Sequence, residues 1–278
     1  MYVLPHAAEP AQTAMPPPPQ QGETTCGGFS AAPAPYTKRR SRGQPTNVLV
    51  TGGAGFIGSH FALALLDLGR YNVTVVDDLS RSSIDTIIRL QTLAAAADKP
   101  FNFENLDVSR QFEMEAVMVK RNIDLVVHFS GNAYVGESMV KPEDYFQNIT
   151  VSTVALIRAM DRAGVRRLIF SSSCATFGNP SELPISERTP QRPTSPYGAA
   201  KLQAEQAIIA FVKSREREGL PFSAALLRYF NVIGADPAGR LGPHLIHAAN
   251  KRYPRIVDAA IDAALGQRDK LMVTGSDF

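Results

Sequence analysis

From Asn47 onward, short runs of apolar and β-branched residues alternate with longer stretches in which apolar positions return at helical spacing. The short runs read as strands and the longer stretches as amphipathic helices. Strands are predicted at NVLVT (47–51), NVTVVD (72–77), FNFENL (101–106), DLVVHF (124–129), RRLIFSS (166–172) and SAALLRYF (223–230). Helices are predicted between them at 56–68, 84–97, 110–121, 142–162 and 197–218, with a later one at about 246–266. Strands that are apolar on both faces belong to a parallel sheet covered by helices. Regular alternation of the two predicts an α/β fold with a doubly wound parallel sheet.

Residues 1–45 break this pattern. Pro16 to Pro19 stand among Ala, Gln, Gly and Thr, and no apolar period is visible. Such a composition buries too little surface to offset ordering entropy, so 1–45 is expected to be a disordered extension and 46–278 the folded domain. The net charge of +3 is modest, and part of it comes from one cluster, Lys38 to Arg42. That cluster is short and has no interleaved aromatics, so no nucleic-acid partner is expected. The two cysteines, Cys26 and Cys174, make neither a disulfide framework nor a metal site. His60 and His128 have no ligand partner at helical spacing, and His244 and His247 have no evident third ligand, so no metal is expected. No apolar run approaches membrane-spanning length and no secretory signal is evident. A reducing, cytoplasmic setting and no membrane partner are expected.

The first candidate chemistry follows the first strand. In TGGAGFIGSH, Gly52, Gly55 and Gly58 lead from strand into helix. In a dinucleotide-binding turn the first glycine permits the tight turn, the second lets backbone approach a pyrophosphate, and the third allows helix and strand to pack closely. The amides that open the helix then face the phosphates. The second strand ends in Asp77, 19 residues beyond Gly58, where an acid bonding the ribose hydroxyls belongs. An acid there favours NAD over NADP, whose 2′-phosphate it would repel. Asp78 follows directly. Asp107 closes the third strand, and FSGN, Phe129 to Asn132, closes the fourth. In an open α/β sheet such carboxyl ends line the ligand crevice.

The second candidate is SPYGAAKLQAEQ, residues 195–206. Tyr197 and Lys201 are one helical turn apart and share a face. A neighbouring cation favours the phenolate and is expected to lower the tyrosine pKa, making a general base usable near neutral pH. Ser173 ends the fifth strand and is placed to hydrogen-bond the same substrate hydroxyl. Together Ser173, Tyr197 and Lys201 suit removal of a hydroxyl proton while a hydride leaves the same carbon.

These motifs, with KPEDYFQNI, FSSSCATFG and LRYFNVIGADPAGRLG, resemble the extended short-chain dehydrogenase/reductases and, within them, the UDP-sugar 4-epimerases. UDP-glucose 4-epimerase is the type member. SSSCATFG and RYFNVIGADPAGRLG are most similar to the UDP-arabinose/UDP-xylose branch. The resemblance covers nearly everything from Asn47 on. It implies that Gly52, Gly55, Phe56, Ile57 and Gly58 hold the pyrophosphate of NAD. Asp77, Asp78 and Leu79 would hold the adenosine ribose, Asp107 and Val108 would border the adenine, and Phe129, Ser130 and Gly131 would lie along the dinucleotide. Asn148, Tyr197, Lys201 and Phe230 would complete the nicotinamide end, while Ser173, Tyr197 and Asn231 would meet the UDP-sugar. The implied reaction interconverts UDP-glucose and UDP-galactose, or UDP-xylose and UDP-arabinose, through a 4-keto intermediate. Ser173 is followed by Cys174 and Ala175 rather than by the acid of related dehydratases, which favours epimerisation. Phe177 replaces the family's Tyr before the motif glycine, and Ala133 replaces a Lys found in many UDP-glucose epimerases.

KLMVTGSDF matches the start of a segment that family members continue into a small substrate domain. The resemblance therefore implies a C-terminally truncated member lacking most of that domain. Two other readings stand beside the epimerase: a non-catalytic NAD(H)-binding protein, and a nucleotide-sugar dehydrogenase or dehydratase. The helices at 110–121 and 142–162 are candidates for the face of a homodimer.

Overall fold

The computed structural model describes residues 44–242 and 256–271. The expected disordered extension, the Lys38–Arg42 cluster, Cys26, His244 and His247 lie outside the described residues, apart from the extension's last two positions.

β1 (Thr46–Thr51), β2 (Tyr71–Asp77), β3 (Phe101–Asn105), β4 (Leu125–His128), β5 (Arg167–Ser173) and β6 (Ser223–Tyr229) form one sheet in the order β3-β2-β1-β4-β5-β6. Every neighbouring pair is parallel. Side chains alternate across the sheet, and each face has its own core. Val48, Val50, Val73, Val75 and Val127 pack with residues of α1 (Phe56–Leu68) and α2 (Ile84–Ala96). Leu49, Val76, Val126, Leu168 and Phe170 pack on the other face, with residues of α3 (Gln111–Lys120), α6 (Ser152–Arg162) and α7 (Pro196–Arg217). This two-sided burial is why β1 and β2 read as unbroken apolar runs.

The predicted helix at 142–162 is divided. It opens as α5 (Pro142–Tyr145), widens into a π-helical stretch at Phe146–Val151, and returns to α-helix as α6. Ser152 and Thr153 hydroxyls donate back to carbonyls within this stretch, and Thr150 donates to the Ala200 carbonyl of α7 at 3.0 Å. Hydroxyls that bond backbone one turn back can bend a helix, and π turns gather at functional sites. A short α4 (Val135–Ser138), absent from the sequence expectation, precedes it. The later predicted helix is described as α8 (Ile256–Ala264). β6 departs from the expectation of a fully covered strand. It ends the sheet order, and four of its seven residues are exposed.

Among the described residues no helix is long and apolar enough to cross a membrane.

Candidate active site

The chain leaves β1 for β2 and β3 on one side, then returns to β4 on the other. The loops after β1 and β4 diverge at this switch, and ligands of open α/β sheets bind there. A cleft opens at the carboxyl ends of β1 to β4. Gly52, Gly55, Asp77, Asp78, Asp107, Val108, Phe129, Ser130, Gly131 and Asn148 all line it, as the sequence led us to expect.

The glycine turn is built by exclusion. Gly52 has φ +66°, and a Cβ there would stand 2.6 Å from the Ser130 amide nitrogen. A Cβ on Gly58 would stand 2.2 Å from the Gly52 carbonyl oxygen. Gly53, which the pattern did not single out, is equally constrained, with Val75 2.6 Å from its missing Cβ. Gly55 is different. Its Cβ would meet only the Gly52 oxygen, at 3.2 Å, so its role is to keep backbone bare where it borders the cleft. It also caps α1, with no side-chain cap and no acid in the first turn. Phe56 and Ile57 begin that helix, so the positive end of its dipole faces the cleft.

Asp77 is buried at the tip of β2. Its Oδ1 accepts from the Leu79 amide (3.0 Å) and the Ser82 hydroxyl (2.7 Å), and its Oδ2 from the Ala54 amide (3.0 Å). These three donors leave one acceptor position on Oδ2, because a carboxylate offers about four. Burial pushes the Asp77 carboxyl up, and the hydrogen bonds only partly offset this. Leu79 sits at φ +59° in the turn Asp77 holds, half-buried against the core and not among the residues that line the cleft. Asn148 lies in the π stretch, and its Oδ1 accepts from the Asn132 amide at 2.7 Å, which joins the far wall of the cleft to the end of β4.

Ser173, Tyr197 and Lys201 lie just behind this wall. Ser195 caps α7, accepting from the Gly198 amide at 3.1 Å, and Pro196 occupies the first turn. A Cβ on Gly198 would lie 2.4 Å from the Ala175 carbonyl oxygen. The start of α7 therefore presses directly on the turn after Ser173, which brings the Tyr197 hydroxyl close enough to Ser173 for that side chain to oppose the rise in its pKa. Lys201 is buried. It donates to the Ser171 carbonyl at 2.8 Å, stands 5.0 Å from the Phe170 ring centre, and lies 3.4 Å from the Cβ position of cleft-lining Gly131.

The electrostatics correct one expectation. Burial raises the Tyr197 hydroxyl above its ordinary value, and the Ser173 side chain opposes this without cancelling it. Lys201 is itself desolvated, which pushes it down to about 8 against the opposing pull of Glu205. Loss of water around the phenol outweighs the lowering from Ser173, and Lys201 is not among the groups that shift it. Glu205, a further turn along α7, is 1% exposed and ion-paired with Arg228 of β6 at 2.7 Å. It also accepts from Ser172 and from Gln191 (3.0 Å). Burial pushes its carboxyl up, but these donors together hold it below the usual range.

Phe230 and Asn231 are not brought to the cleft. They follow β6, and Phe230 is 63% exposed. Asn132, named with the end of the fourth strand, lines the cleft too, while Ser80, Arg81, Ser82, Leu106 and Ser152 line it without having been singled out. Ser80 to Ser82 follow Leu79 directly, and that position was the available signal. Among the described residues no group of three or more His, Cys, Asp or Glu could hold a metal ion.

A doubly wound sheet, a glycine turn beneath a cleft at its switch point, and a Tyr–Lys pair behind that cleft define a Rossmann-type protein of the short-chain dehydrogenase/reductase class. The chain belongs to the NAD dependent epimerase/dehydratase family, which it matches over residues 48–268. It is 44% identical over 237 residues to probable UDP-arabinose 4-epimerase 1 of Oryza sativa subsp. japonica, covering 84% of this chain and 54% of that protein. It is 37% identical over 231 residues to UDP-glucose 4-epimerase of Bacillus subtilis, covering 83% and 65%. The fold matches UDP-glucose 4-epimerase of Bifidobacterium longum in complex with NAD+ and UDP, with a TM-score of 0.75 and 38% identity over 84% of this chain and 66% of that one. The chain spans about half the length of the UDP-arabinose 4-epimerases it matches.

Proposed function

We propose that this chain binds NAD and acts in the 4-epimerisation of a UDP-sugar. The observation that carries the reading is the buried Tyr197 beside Ser173, with Lys201 one turn behind and against Gly131, at a cleft built on a glycine turn. The cleft suits a dinucleotide. The bare backbone of Gly52 and Gly55 and the uncapped start of α1 would receive the pyrophosphate, with Phe56, Ile57 and Gly58 forming that first turn. The free acceptor position of Asp77, with Asp78 beside it, would take ribose hydroxyls and repel a 2′-phosphate. Asp107 and Val108 would border the adenine, and Phe129 to Gly131 with Asn148 would line the path toward Tyr197.

NAD, when bound, supplies the reversible hydride acceptor that inversion at a carbinol carbon needs. Tyr197 takes the proton of the sugar 4-hydroxyl, Ser173 orients that hydroxyl, and Lys201 stabilises the phenolate. After the 4-keto sugar presents its other face, Tyr197 returns the proton. General acid–base help of this kind contributes about 10²- to 10⁴-fold. The pentose pair UDP-arabinose and UDP-xylose is the first substrate to try, since UDP-arabinose 4-epimerases match at 42–44% identity against 37% for the UDP-glucose enzymes. We read 46–278 as the NAD-binding domain with the beginning of a substrate-binding region. We also propose a homodimer through α3 and α6, whose neighbourhood exposes Phe112, Val119 and Val151; light scattering after size exclusion tests it.

A second reading, NAD binding without turnover, is favoured by one observation: Phe230 and Asn231 stand away from the cleft. One experiment separates the two. The purified chain is assayed for bound NAD, then for conversion of UDP-arabinose and, separately, UDP-galactose. The epimeric product from the wild type, falling about 10²-fold or more in Tyr197→Phe while NAD is retained, supports the epimerase. Retained NAD with no product supports the second reading. A chain that binds no NAD overturns both.

A further inference from the structure

Arg81 lies in the loop after β2 and lines the cleft, while Glu137 belongs to α4, which follows β4. The two make a double hydrogen bond, Nη1 to Oε2 at 3.0 Å and Nη2 to Oε1 at 2.9 Å. Their strands are not neighbours. β1 sits between β2 and β4, so their loops start about 10 Å apart, two strand spacings. Both loops leave the carboxyl edge of the sheet, as does the glycine turn after β1, so the bridge closes the gap between them at the end of the sheet where the cleft opens.

The bridge is braced. The Tyr145 hydroxyl lies 2.9 Å from Glu137 Oε2 and 2.8 Å from the Tyr134 carbonyl. Tyr145 is buried, and its ring stands edge-on to Tyr197 with centres 6.2 Å apart. The pair is only partly exposed, at 38% and 17% of the two side chains, and the Arg81 guanidinium keeps the Glu137 carboxyl below its ordinary range. It therefore stays charged at neutral pH.

We infer that Arg81 and Glu137 form a clasp over the cleft, and that a dinucleotide lying from the end of β2 to the end of β4 is held beneath it. Cofactor release then requires the pair to part. Neither residue belongs to the proton-transfer group, so their contribution is to cofactor residence. The inference rests on the NAD reading above.

The test is the exchange of bound NAD against a fluorescent etheno-NAD chase, using the full chain. Arg81→Ala and Glu137→Gln are each expected to speed release about fivefold, the worth of a well-formed, partly exposed ion pair. The reversed pair, Arg81→Glu with Glu137→Arg, restores slow release. Raising salt from about 0.05 to about 0.5 M speeds release from the wild type and leaves the single variants unchanged. Wild-type release rates in the single variants, or fast release that the reversed pair does not restore, overturn the clasp alone. A wild-type chain that holds no NAD overturns the clasp and the functional reading together.

Discussion

Gly58 has room for a hydrogen and nothing larger. The atom a Cβ would strike is the backbone oxygen of Gly52, the residue that makes the turn, so neither partner can give by rotating a side chain. Gly58→Ala is expected to cost about 2 kcal/mol through overpacking and to abolish NAD retention. Urea unfolding and the nucleotide content of the purified variant check the two parts separately. Gly52, Gly58 and Asp77 were legible in the sequence because their spacing serves one local strand–turn–helix unit. Gly53 and Arg81 were not. The first is fixed by Val75 on the next strand, and the second by Glu137, 56 residues away. The direction of the Tyr197 shift was not legible either, since helical spacing places a cation nearby but does not report how dry the phenol is.

At the scale of elements, two buried groups stitch strands to helices. Glu205 on α7 holds Arg228 of β6 and Ser172 of β5. Glu205→Ala leaves a half-buried guanidinium without its carboxylate and is expected to cost about 3 kcal/mol. It should also strip amide-exchange protection from β6 ahead of β1. His128, at the end of β4, bonds Thr51 of β1 at 2.7 Å and Thr153 of α6 at 3.3 Å. Burial, with a smaller push from Lys201, takes it down to about 3. An unfolded histidine protonates below about 6.5, while the folded one does not until about pH 3. The unfolded state therefore binds the extra proton in that window, and stability falls as pH drops through it. Between about pH 6.5 and pH 5, before most carboxylates titrate, His128→Gln is expected to lose less stability than the wild type. Parallel denaturant titrations at the two pH values read this directly.

For the whole molecule, cofactor and fold are linked by mass action. NAD at about 100 times its dissociation constant should stabilise the chain by about 2.7 kcal/mol. For a domain of this size that raises the melting temperature by about 5–10 °C. NADP should give a clearly smaller shift if, as proposed, Asp77 and Asp78 take the ribose hydroxyls and repel its 2′-phosphate. Equal shifts from both nucleotides in a thermal scan would contradict the role given to these acids.

The α/β class, the order of strands and helices and the glycine turn with the acid that closes β2 were all determined by sequence alone. Each depends on periodicity or spacing within about 30 residues, the length of one β–α–β unit. Strand boundaries came within a residue or so of those in the structure because both faces of β1 and β2 are buried, which leaves the apolar runs unbroken. The tertiary structure decided the rest. It split the helix at 142–162 with a π stretch that turns Asn148 to Asn132, and it left β6 open at the end of the sheet with Phe230 away from the cleft. It also set Lys201 against Gly131 and joined Arg81 to Glu137 across the gap between their loops. These features depend on which segments the sheet order makes neighbours, and on how much water each buried group loses there. Neither quantity is a property of any stretch of chain read by itself.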